Sequence, residues 1–136
     1  MYIAMPHNSG KGAETAEAAT QTQQALQEVL SRTAGEKIYA PMAQGLSEGI
    51  VSAKAAACMY FLWIEILDWY DPPAFFQIFP DRGEVVLSVY DAQTGDLLQS
   101  DKISCKGFAT TVNLIGAYSP KDCLKAAFGA WLTKNM

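Results

Sequence analysis

Hydrophobic positions along this chain form strand-like runs in its middle and helix-like stripes on either side. From Met59 to Leu67 every residue except Glu65 is apolar, and the run is rich in aromatic and β-branched side chains. That pattern predicts a strand covered on both faces, as in the middle of a sheet. Alternation puts Tyr60, Leu62, Ile64 and Ile66 on one face and Met59, Phe61, Trp63, Glu65 and Leu67 on the other. Glu84 to Tyr90 alternates Val85, Leu87 and Val89 against Val86, Ser88 and Tyr90. A turn follows at Asp91-Ala92-Gln93-Thr94-Gly95-Asp96, with an acid at its start and glycine where a positive φ is wanted. Leu97 to Ser104 then returns antiparallel. It sets Leu97, Gln99, Asp101 and Ile103 against Leu98, Ser100, Lys102 and Ser104, and its charges place it nearer an edge.

Three stretches carry the helical period. Glu14 to Ser31 has acids in its first turn and an apolar stripe at Ala18, Leu26, Val29 and Leu30. Its other faces, with Thr20, Gln21, Thr22, Gln23, Gln24 and Gln27, are polar and almost uncharged, as expected of a solvated face or of one cheap to desolvate against a partner. Leu46 to Ala57 is the second helix, its small residues suited to close packing on a sheet. The third starts at Ser119 as N-cap with Pro120 at its first position, and sets Cys123, Leu124, Ala127, Phe128, Trp131 and Leu132 at helical spacing. Met1 to Pro6 and Lys37 to Ala40 read as short strands, with His7 to Gly12 a polar turn between strand and helix. The fold class is therefore α/β (α+β): one domain over residues 1–136, a single mixed sheet of about five strands in the order β-α-β-α-β-β-β-α, and helices packed on it. The first three strands are expected parallel, with right-handed crossovers, before the antiparallel hairpin of the last two.

Composition narrows the class of partner. The chain is half hydrophobic by count and 18% charged, which is globular rather than disordered. Its net charge is −4, and no basic stripe offers the excess of Lys and Arg that phosphate neutralisation demands, so nucleic acid is not an expected partner. The longest apolar run is far short of the roughly 20 residues that span a bilayer. The N-terminus shows neither a signal-peptide pattern nor a lipobox cysteine.

Candidate chemistry is sparse. Glu65 is a carboxylate on a covered strand, which must find a donor or shift its pKa upward. A place at the sheet margin beside a Lys or Arg is the plainer expectation, and a catalytic role the sharper one. Asp68 and Asp71 follow the central strand closely, as solvated acids or as an acid/base or cation pair. Gly10-Lys11-Gly12 lacks both the upstream glycine and the Ser or Thr of a phosphate loop. Cys58, Cys105 and Cys123 show no metal-ligand spacing, and His7 is the only histidine. No metal or cofactor site is expected, and no catalytic residue is assigned. One disulfide, such as Cys105 with Cys123, is open in an oxidising compartment. Two apolar loops, Pro72 to Phe79 and Gly107 to Tyr118, add a candidate partner surface: Trp69, Tyr70, Phe75, Phe76, Phe79, Phe108, Leu114 and Ile115. The competing account packs the two loops on each other.

The segments WIEILDWYD, FPDRGEVVLSVYDAQTGDLLQSDKISCKG and YSPKDCLKAAFGAWL resemble DUF4823, a family of bacterial envelope lipoproteins with no assigned activity. The matches are Ile66, Leu67 and Trp69, then Pro80, Asp81 and Arg82, then Asp91, Thr94 and Gly95. They cover about the last two-thirds of the chain, and Tyr70 to Phe76 departs from the family's more polar loop. The resemblance implies a periplasmic, outer-membrane-anchored lipoprotein of a Gram-negative cell, held by a lipid upstream of this sequence. It also implies other envelope proteins, or a large membrane-associated complex, as partners. The leading expectation is a non-catalytic module that docks into or regulates an envelope assembly. The alternatives are a periplasmic small-ligand or glycan binder using Trp69, Tyr70, Asp71 and Phe75, and a hydrolase using Glu65, Asp68 or Asp71.

Overall fold

A computed structural model describes residues 1–11, 15–70, 82–106 and 120–135. Nine elements follow one another: β1 (Tyr2–Ile3), β2 (His7–Lys11), α1 (Thr15–Leu30), β3 (Ile38–Tyr39), α2 (Leu46–Ala55), β4 (Tyr60–Tyr70), β5 (Arg82–Asp91), β6 (Leu97–Lys106) and α3 (Pro120–Asn135). The six strands form one mixed sheet in the order β3-β1-β4-β5-β6, with β2 also on β4. β1 pairs parallel with β3 and β4, while β4, β5 and β6 run antiparallel. The expected α+β class, mixed sheet and strand directions all hold.

The sheet has one strand more than expected. His7 to Lys11 is β2, not a turn, and pairs parallel with β4 through His7↔Glu65, Asn8↔Ile66 and Lys11↔Asp68. Nothing apolar alternates here; the long, central β4 offers its edge, and the backbone takes the ladder that burial demands. β1 and β2 thus lie end to end along β4, with Ala4 to Pro6 between them.

Each face of the sheet has its own core. α1 and α3 cover one face, where Ile3, Leu62, Ile64, Ile66, Val85, Leu87 and Ile103 meet Ala18, Leu26, Val29, Leu30, Leu124 and Phe128. Lys125 and Glu28 tie the two helices together at 2.7 Å. α2 covers part of the other face, where Tyr2, Phe61 and Trp63 meet Ala53 and Cys58. Gly49 is why α2 can lie so close, since a Cβ there would stand 2.5 Å from the Phe61 ring. The face assignment of β4 and the apolar stripe of α1 are as expected. Thr22 is not: it is fully buried, facing the sheet rather than solvent.

β4 runs three residues past its expected end and bulges there. Ile66 pairs with Val85 but Asp68 with Glu84, so Leu67 is the extra residue. Every side chain after it changes face.

Candidate functional site

The bulge moves Trp69, the first residue of the expected partner surface. Without it Trp69 would share a face with Phe61 and Trp63; with it the indole enters the α1–α3 core, only 6% exposed. Trp69 is core material and not a docking residue. Tyr70 closes β4, with its side chain outside the described set, and Asp71, Phe75, Phe76, Phe79, Phe108, Leu114 and Ile115 lie outside the described residues.

Glu65 also departs from expectation. It sits on the central strand between β2 and β5, half-buried, and its Oε1 accepts the Trp63 indole N–H at 2.9 Å. Among the described residues the donor that meets this carboxylate is neutral, not a Lys or Arg. His7 stacks on Trp63 from the neighbouring strand, with centroids 5.8 Å apart. Asp68 continues the strand opposite Glu84 instead of leaving the sheet. Glu84 is held by Lys102 at 3.1 Å and by the Ser104 hydroxyl. These contacts tie the carboxylates into the sheet surface. Cys58 is a buried free thiol, whereas the Cys105 and Cys123 side chains fall outside the described set. Among the described residues no group of three His, Cys, Asp or Glu could hold a metal ion, and no helix is long and apolar enough to cross a membrane.

The feature that sequence reasoning missed lies at the opposite end of the sheet. Tyr70, Arg82 and Lys106 are in register at one end. At the other end α1, α2 and α3 all finish, β4 begins, and a cleft of about 570 Å³ opens between the layers. Leu62 and Val89 form its floor, Leu30, Trp131 and Leu132 come from the two helices above, and Ile38 closes one side. Buried Cys58 also lines it, while Met59 and Tyr60 stand exposed at its mouth. Leu97 and Leu98, each more than half exposed, begin β6 at the same end. A single signal could have pointed here: Met59 and Tyr60 start a run apolar on both faces a few residues beyond the end of α2.

Solved structures share the fold at low identity. The PelC dodecamer from Paraburkholderia phytofirmans matches 97% of this chain and 83% of its own, with a TM-score of 0.72 and 13% identity. Lipoprotein GNA1162 from Neisseria meningitidis matches 98% of this chain and 96% of its own, with a TM-score of 0.59 and 12% identity. The LpoB C-terminal domain from Salmonella enterica matches 76% of this chain and 78% of its own, with a TM-score of 0.50 and 14% identity. No curated protein matches the chain in sequence. The model of the domain of unknown function DUF4823 matches residues 1–134, so the chain belongs to that family.

Proposed function

We propose that this chain is a non-catalytic module of the bacterial cell envelope that docks into, or regulates, a larger protein assembly. The observation that carries the reading is the gathering of Met59, Tyr60, Leu97 and Leu98, all exposed, at one end of a sheet whose remaining large apolar side chains are mostly buried. Exposed apolar groups that share one end of a domain mark a place where another surface can dry them. The fold supports the same reading, because it recurs in a bacterial lipoprotein and in a protein solved as a dodecamer. Periplasmic location, outer-membrane anchoring and Gram-negative envelope partners belong to this proposal.

The test is native mass spectrometry of the protein gently extracted with detergent from its source membranes. The expected result is a complex much larger than the chain, made of its own copies or of other envelope proteins. A fourfold variant with Ser at Met59, Tyr60, Leu97 and Leu98 should lower recovery of that complex at least tenfold while the melting temperature stays close to wild type. Recovery of the wild-type chain alone, at its own mass, would sink the proposal.

A further inference from the structure

We infer that the cleft between the C-terminal turns of α1 and α3 and the start of β4 binds a single hydrocarbon chain, the tail of a monoacyl amphiphile. Its volume, about 570 Å³, lies within the range of small-molecule sites. Apolar side chains from both layers line it, among them Leu30, Ile38, Leu62, Val89, Trp131 and Leu132. The cleft is open at its mouth, and an apolar occupant would remove its apolar lining from water and add dispersion contacts.

The backbone around the cleft selects the occupant's chemistry. Leu62 lies between Ile3 and Val89 inside the ladder, and its carbonyl accepts from Ala4. At the end of α1, the Leu30 carbonyl accepts from both the backbone and the hydroxyl of Thr33. At the end of α2, Ala57 and Cys58 donate back to Lys54 and Ala53. The Lys37 ammonium is held by the carbonyls of Thr33 and Ala34. Leu30, Leu62, Val89, Trp131 and Leu132 make one part of the lining apolar, while Thr33, Glu36, Lys37 and Gln99 make the other part polar; a peptide laid along the apolar part would leave its amides unpaired there. A hydrocarbon chain has no such groups. Each methylene it buries against the apolar lining instead leaves water, which is favourable. Met59 lends an adaptable thioether to the mouth, and Tyr60 an amphipathic ring beside the head group.

The experiment is photoaffinity mapping of the full chain with a 16-carbon fatty acid carrying a mid-chain diazirine, followed by peptide mass spectrometry. Labels are expected on the peptides holding Cys58 to Leu62 and Trp131 to Leu132. Competition by myristate alone assigns the site to a free acid, competition by myristoyl lysophosphatidylcholine alone assigns it to a membrane lipid, and competition by both makes the tail the sole determinant. All three outcomes support the inference. Leu132→Trp, which narrows the cleft, should cut labelling at least fivefold; if that variant does not fold, the wild-type map decides. Labels scattered over other peptides, no labelling, or labelling that neither competitor reduces would overturn it.

Discussion

Trp69 and Gly83 face each other across β4 and β5, both buried, and the missing side chain of one makes room for the other's layer. A Cβ on Gly83 would stand 3.1 Å from both Cγ and Cδ1 of Leu124 on α3. Leu124 is itself completely buried, so it cannot swing away. Gly83→Ala should therefore destabilise the fold by about 1 kcal/mol despite the better strand propensity of alanine, and Gly83→Val by about 2–3 kcal/mol. Urea denaturation midpoints at constant slope would report it. Equal stability of wild type and Gly83→Val would mean that α3 does not lie where the contact places it.

How much of this was legible follows from which residues carry pattern. Leu62, Ile64 and Ile66 alternate against Phe61 and Trp63, and burial on both faces reproduces that alternation. The bulge at Leu67 left no mark, because an apolar residue fits either face and a one-residue slip in such a run changes nothing that periodicity can detect. Trp69 was misplaced because the strand was expected to end at Leu67, which put the indole in the loop beyond it. Strand β2 was hidden too, since His7 and Asn8 are strand by virtue of the open edge of β4 and not by propensity. The cleft was the least legible feature. Leu30, Ile38, Leu62, Val89 and Trp131 come from five elements and meet only in three dimensions.

At the end of α2, Ala57 carries a φ of +57°, the left-handed conformation in which a side chain is strained. Cys58 N–H bonds back to the Ala53 carbonyl and Ala57 N–H to that of Lys54, a helix ending that usually places glycine at this position. Ala57→Gly should stabilise the protein by about 0.5–1 kcal/mol, the relief of strain exceeding the added flexibility of the unfolded chain. Thermal unfolding would show a rise of several degrees. A fall would place Ala57 in an ordinary right-handed turn.

Thr22 lies on α1 with its hydroxyl buried and, among the described residues, without a hydrogen-bond partner. An unpaired buried hydroxyl costs about 1–3 kcal/mol of desolvation, and valine has nearly the same shape and helix propensity. Thr22→Val should gain about 1 kcal/mol by chemical denaturation. Thr22→Ser, which keeps the hydroxyl and removes a methyl group, should lose about the same. If valine destabilises as well, the hydroxyl has a partner in solution.

Asp101 on β6 accepts the Trp131 indole N–H at 2.8 Å, which joins the edge strand to α3. That hydrogen bond first, and then one from Gln99, hold its carboxyl below the usual aspartate range against the opposing effect of desolvation, with the charge of Lys134 the smallest contribution. A depressed folded-state pKa contributes stability that is complete above the unfolded value of about 3.9 and is lost as pH falls through the folded value. Wild type should therefore lose stability on acidification through that window, and Asp101→Asn should lose less there while being the weaker protein at neutral pH. Trp131→Phe removes the main cause and should flatten the same part of the profile while leaving the carboxylate in place. Unfolding midpoints followed from pH 7 down to pH 2 would decide the matter, and parallel profiles for all three proteins would show that the indole does not engage Asp101.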